Sequence, residues 1–174
     1  MDAYRSLREA IRDVPDFPKP GIVFKDLTPI LGDGTLFRLA VDGLADAHRG
    51  AAVQMVAGID ARGFLFSAAV AYTLGVGLIP LRKKGKLPWH TESASYQLEY
   101  GEASIEVHRD ALQPGDRILL VDDLLATGGT AAAAVNLLRR LGGEVVEASF
   151  VVELSSLEGR ARLPDVPVRS LVRF

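Results

Sequence analysis

Ten consecutive residues hold the densest reactive chemistry in the chain: Val121-Asp122-Asp123-Leu124-Leu125-Ala126-Thr127-Gly128-Gly129-Thr130. An apolar run ends in two carboxylates, passes through a Thr-Gly-Gly-Thr turn and enters an alanine-rich segment. Such a turn gathers free backbone N–H groups and the positive end of a helix dipole at one point, which suits a phosphate. The glycines let the backbone approach closely, and the Thr127 and Thr130 hydroxyls can donate hydrogen bonds. No lysine stands before a hydroxyl residue as in a Walker loop, and GxGxxG is absent. Adjacent carboxylates would repel a phosphate, so Asp122 and Asp123 need a different partner. Sugar hydroxyls, which can donate to both, meet that need.

Two further groups are cationic. Arg62 lies in the loop Asp60-Ala61-Arg62-Gly63, directly after an apolar run, and Arg82, Lys83, Lys84 and Lys86 fall within five residues. Metal and thiol chemistry have little support. There is no cysteine, which removes disulfides, thiolate ligands and a thiol nucleophile. His48, His90 and His108 lack metal-ligand spacing, and no GxSxG elbow is present.

The elements that must carry these residues alternate. Tyr4 to Val14 has helical periodicity and stops at prolines 15, 18 and 20. Leu36 to His48 repeats its apolar residues on one helical face. Val53 to Ile59, Val76 to Leu81, Ile118 to Val121 and Val145 to Val152 are continuously apolar strands. Phe64 to Leu74 and Ala131 to Leu141 are helices, each followed by glycine. Strands of this kind are covered on both faces. The expected fold is therefore α/β, a three-layer open and mostly parallel sheet flanked by helices, forming a single domain over residues 1–174. Ligands in such folds sit beyond the carboxyl ends of the strands, so the loops starting at Asp60, Arg82 and Asp122 should converge. Residues 83–108 break the alternation. Their polar, Gly- and Pro-punctuated composition predicts a long loop with a hairpin turning at Gly101, the kind of connection that acts as a lid. With a formal net charge of −2 and no apolar run of membrane-spanning length, neither nucleic acid nor a membrane is an expected partner. A cytoplasmic protein is expected.

The segment 121–130 resembles the phosphoribosyl pyrophosphate signature of type I phosphoribosyltransferases. The resemblance implies that Asp122 and Asp123 hold the ribose hydroxyls, and that Ala126, Thr127, Gly128, Gly129 and Thr130 hold the 5′-phosphate. Four other segments are similar to the adenine phosphoribosyltransferase family: FPKPGIVFKD at 17–26, GIDARGFLF at 58–66, RKKGKLP at 82–88 and LEYG at 98–101. From these the resemblance implies that backbone groups of Val23 and Lys25 read adenine, with Phe24 and Leu124 sandwiching the ring. Lys25 stands where many members have arginine. Asp60, Ala61, Arg62, Lys83, Lys86 and Tyr100 are implied for pyrophosphate, with a cis peptide between Asp60 and Ala61. Glu99 and Arg62 are the implied catalytic residues, Glu99 as the proton carrier. Enzymes for 6-oxopurines often carry an aspartate at the position of Ala126.

The implied reaction joins adenine to phosphoribosyl pyrophosphate and yields AMP and pyrophosphate, with Mg²⁺ held mainly by substrate and water, in a homodimer. Transfer to hypoxanthine, guanine or orotate, or a regulatory protein sensing nucleotides with the same fold, are the competing readings.

Overall fold

The computed structural model describes residues 3–97 and 102–174. In chain order its elements are α1 (Arg5–Ala10), β1 (Arg12–Pro15), β2 (Val23–Asp26), α2 (Thr28–Gly32), α3 (Gly34–Ala45), β3 (Met55–Ile59), α4 (Gly63–Leu74), β4 (Gly77–Lys83), β5 (Thr91–Gln97), β6 (Glu102–His108), β7 (Arg117–Leu125), α5 (Gly129–Arg140), β8 (Glu144–Glu153) and β9 (Val168–Arg173). Short 3₁₀ turns cover Asp46–His48, Ser155–Leu157 and Gly159–Arg162.

Burial on both faces organises the main sheet, whose order is β5-β6-β4-β3-β7-β8-β9. The run from β4 to β9 is parallel, and β6 joins it antiparallel through Arg82↔Glu106 and Lys83↔Ile105. Along β7, Ile118 and Leu120 enter a core shared with α5, while Leu119 and Val121 enter a second core shared with α3 and α4. Successive side chains thus point into opposite helical layers, as strand geometry requires. Both layers are apolar, so the run reads as continuously hydrophobic. The alternation has reversed by Leu124 and Leu125, which pack with the α3/α4 layer and the α5 layer respectively.

Most expected elements are present, with shifted ends. The predicted helix Tyr4–Val14 stops at Ala10, and residues 12–15 form a strand instead. Tertiary pairing overrides the local pattern here, because β1 and β2 make a separate antiparallel ribbon with Asp13 opposite Lys25 and Arg12 opposite Asp26. Both cross-strand pairs are ion pairs, at 2.6 and 3.0 Å. The strand predicted at Ile118–Val121 continues through both aspartates to Leu125, since pairing with β8 persists at Asp122↔Phe150 and Leu125↔Glu153. The polar run from Thr91 is the first strand of the hairpin rather than loop. Its alternate residues Ala94 and Tyr96 pack against the α5-side core, and Arg140 of α5 pairs with Glu92. Sequence periodicity also missed α2 and β9.

Helix ends follow local chemistry. Asp33 caps α3 by accepting from the Thr35 and Leu36 N–H groups at 2.8 and 3.0 Å. Gly75 ends α4 in the left-handed region at φ 69°.

The sheet interior dominates stability, since a fully buried large side chain is worth about 1.5–3 kcal/mol while an exposed ion pair contributes about 0–1. Phe150, fully buried beside Asp122 in the β7–β8 register, tests this. Phe150→Ala should cost about 3–5 kcal/mol in urea unfolding. A loss below about 1 kcal/mol would show that the layer collapses around the gap.

Candidate active site

The carboxyl end of β7 leads directly into the loop Ala126–Gly128 and then α5. Gly128 turns the chain in the left-handed region, φ 80°, where a side chain would be strained. No side chain caps the first turn of α5, so its backbone N–H groups remain available to an anion. Asp122, Leu124, Leu125, Ala126, Thr127, Gly128, Gly129, Thr130 and Ala131 line a cavity of about 80 Å³ at this point. All five residues expected for a phosphate are therefore on one concave wall.

The two aspartates are braced differently. Asp123 is buried, and Arg62 donates to it from Nε at 2.5 Å. The Asp123 backbone N–H donates to Asp122 Oδ1 at 2.8 Å. Asp122 abuts the start of α4, where a Cβ on Gly63 would collide with its Oδ1. The glycine that ends the Asp60-Ala61-Arg62-Gly63 loop thus has a packing reason. Burial pushes the Asp122 carboxyl well above its ordinary range, and the adjacent Asp123 charge pushes it further; the backbone donor and Arg62 only partly oppose this.

Arg62 connects three distant segments. Its loop contains the cis Asp60–Ala61 peptide, its Nε holds Asp123, and its guanidinium lies 5.2 Å from the Phe24 ring centroid in β2. The β1–β2 ribbon is thereby drawn over the end of β7. Phe24 also meets Phe17 edge-on at 5.2 Å. Val23 and Lys25, two residues apart, face the same edge of the ribbon. The Lys25 side chain is committed elsewhere, to Asp13 at 2.6 Å and to the Phe174 ring with Nζ 4.0 Å from its centroid. Leu124 is half-buried and forms part of the cavity wall.

A second chain of contacts ties in the basic turn. Arg82 donates from Nε to Asp60 Oδ2 at 3.3 Å and from Nη1 to the Lys86 carbonyl at 3.0 Å. Glu106, almost fully buried, accepts from the Lys86 and Leu87 backbone N–H groups at 3.1 and 3.0 Å. Burial alone would raise the Glu106 carboxyl, but the backbone donors of Leu87, Gly85 and Lys86 with the Thr91 hydroxyl hold it below its ordinary value. Lys83 and Lys86 stay exposed on this turn. Sequence reading missed Arg82 as a strut and Glu106 altogether. The available signal was a carboxylate between the buried Ile105 and Val107. Glu99 and Tyr100 lie outside the described residues. The histidines stand apart from the cavity lining: His48 contacts Glu147 at 3.1 Å and His90 meets Trp89 edge-on. Among the described residues no group of three or more His, Asp or Glu is arranged to hold a metal.

Comparison with known proteins shows the family. The model of the phosphoribosyl transferase domain matches residues 31–172. An adenine phosphoribosyltransferase from Methylobacterium sp. (strain 4-46) is 58% identical over 171 residues, covering 97% of this chain and 94% of that relative. The chain belongs to the adenine phosphoribosyltransferase family. A solved family structure from Rhodothermus marinus superposes with a TM-score of 0.94 at 51% identity, covering 99% of this chain and 98% of the other. The adenine phosphoribosyltransferase of Saccharomyces cerevisiae, solved with D-2,5-dideoxy-2,5-imino-altritol 1,6-bisphosphate and adenine, gives 0.92 at 39% identity, with 97% and 98% covered.

The raised Asp122 carboxyl has a consequence for stability. A folded-state carboxyl above its unfolded value binds more protons in the folded state, so stability falls as pH rises from the unfolded value through the folded one. Asp122→Asn should therefore raise Tm at neutral pH. The gain should vanish in acid, where the wild-type carboxyl is already protonated. Equal Tm values at neutral pH, read by circular dichroism, would show that Asp122 carries no such penalty.

Proposed function

We propose that the protein transfers the 5-phosphoribosyl group from phosphoribosyl pyrophosphate to adenine, giving AMP and pyrophosphate, as a cytoplasmic enzyme of purine salvage. The observation that carries this reading is Arg62, which joins the buried Asp123, next to the cavity-lining Asp122 and an uncapped phosphate loop, to an aromatic ribbon. One site thus offers anion donors, hydroxyl acceptors and an apolar platform.

In this reading Ala126, Thr127, Gly128, Gly129 and Thr130 bind the 5′-phosphate, and Asp122 and Asp123 accept from the ribose hydroxyls. Asp60, Ala61, Arg62, Lys83, Lys86 and Tyr100 bind the pyrophosphate. The C1′–O bond to pyrophosphate breaks, adenine N9 forms the new bond to C1′, and the N9 proton leaves. Arg62 must release Asp123 to reach the departing diphosphate, where cationic donors fixed in advance lower the barrier. Val23 and Lys25 read the adenine edge through their backbones, between Phe24 and Leu124. Glu99 takes the proton. The alternative role for Glu99 is to hold Tyr100 and the hairpin in place.

Mg²⁺ fits this donor set. It would be held mainly by the substrate's phosphates and by water, because Mg²⁺ keeps several waters and the described residues form no cage of three or more acidic or histidine side chains. When bound it would neutralise charge on the diphosphate. Within the lid segment 83–108 of the single domain, the body of the β5–β6 hairpin packs on α5, so closure over the sugar to exclude water falls to the hairpin's distal end.

Competition among bases tests the reaction. Adenine should be preferred over hypoxanthine by at least about 10²-fold in kcat/KM, because a mismatch leaves buried polar groups unpaired. Comparable values for both bases would reject the assignment.

The enzyme is further proposed to be a homodimer. The support is an apolar stripe on α4, with Leu65 and the largely exposed Tyr72, beside exposed Leu78 of β4; exposed patches of this kind mark association surfaces. Leu65→Asp with Tyr72→Asp should shift sedimentation to the monomer. An unchanged sedimentation coefficient in the double variant would exclude this face.

A further inference from the structure

The phosphate loop is supported from behind by a segment that lies outside the signature residues. Gly128 and Gly159 are packed backbone to backbone. A Cβ on Gly128 would collide with the Gly159 carbonyl, and a Cβ on Gly159 would collide with the Ala126 carbonyl. Gly159 is buried and opens the 3₁₀ turn Gly159–Arg162. The preceding Glu158 has φ 52°, an unusual conformation for a residue with a side chain. Such a turn needs an external restraint to hold its position.

Arg160 supplies the restraint. Its Nε and Nη2 donate to the two oxygens of Glu153 at 2.6 and 2.7 Å, and Nη1 donates to the Val168 carbonyl at 2.6 Å. Glu153 is 5% exposed at the carboxyl end of β8 and accepts also from Ser170 Oγ at 2.6 Å. The paired, planar geometry fixes direction as well as distance, which a single point charge cannot do. Arg160 therefore anchors Gly159 to β8 and β9, and Gly159 backs Ala126 and Gly128. The Leu154 N–H bond to the Leu125 carbonyl, 2.9 Å, closes the same bracket at its other end.

We propose that Arg160, seated on Glu153, is a positioning residue for the 5′-phosphate, acting through Gly159 on the backbone of Ala126–Gly128. It does not touch the ligand. This rests on the assignment of that loop to the 5′-phosphate. A donor array must be held within a fraction of an ångström to be effective, so loosening its support costs affinity for the phosphate and leaves the base contacts unchanged.

The test compares AMP with adenosine by calorimetry, since the two differ only in the 5′-phosphate. Arg160→Gln and Gly159→Ala should each reduce the AMP-over-adenosine preference by about tenfold, the order expected when charged hydrogen bonds are lost. Adenosine affinity should be unchanged. Arg160→Lys should restore part of the preference, because it keeps charge without the paired geometry; it also serves if Arg160→Gln fails to fold. Thr127→Ala is the control for the loop itself. If Thr127→Ala lowers the preference while folded Arg160 and Gly159 variants keep it, the positioning role is overturned and the site stands. If Thr127→Ala also leaves the preference intact, the 5′-phosphate assignment falls and the positioning role with it.

Discussion

Two adjacent carboxylates at the end of a buried strand set the terms for everything around them. Asp122 and Asp123 follow a run of β7 that is buried on both faces, so water cannot solvate both charges as it would in a surface turn. One solution is a cation, and Arg62 reaches across from the end of β3 to pair with Asp123. The other is to leave Asp122 with a raised affinity for protons, packed against the one residue type at position 63 that leaves it room. Neither arrangement is the most stable available to the chain. Natural sites keep such costs where ligands later supply the missing partners.

From that pair the rest of the site can be traced outward as connected struts. Arg62 reaches Phe24 and so fixes where the β1–β2 ribbon sits. Lys25, on the same ribbon, is held by Asp13 and Phe174. Its side chain therefore serves the ribbon's seating. On the opposite flank, Asp60, Arg82, Lys86 and Glu106 form a continuous polar chain from the cis-peptide loop to the basic turn. The pairs on exposed side chains contribute little to folding free energy. Their effect is geometric, because each places a loop that has no apolar face of its own to bury.

The loop after the aspartates and the basic turn are supported in different ways. The loop Ala126–Gly128 is continuous with β7 and α5 and backed by Gly159. The basic turn and hairpin join the sheet through Arg82↔Glu106 and Lys83↔Ile105, and the hairpin packs on α5 through Ala94, Tyr96 and the Glu92–Arg140 pair.

The sequence by itself determined the layered α/β fold and the phosphate loop. Both depend on short-range signals: apolar runs matching strand and helix lengths, glycines where the backbone must turn or approach closely, and hydroxyls next to them. It also identified Asp122, Asp123 and Arg62 as chemically exceptional. What only the tertiary structure decided is how those signals meet. Residues 12–15 are a strand because residues 23–26 pair with them across the ribbon, information absent from their own periodicity. β7 extends past its apolar run because β8 continues beside it. Glu106 looked like an ordinary strand carboxylate until three backbone donors of the basic turn closed on it. Gly159 and Arg160 lie in a segment without regular pattern, and their connection to Gly128 spans about thirty residues of chain. Local patterns are written in neighbouring residues, whereas struts and back walls arise only when distant segments pack together, and one sequence read alone does not encode which segments those are in any local spacing.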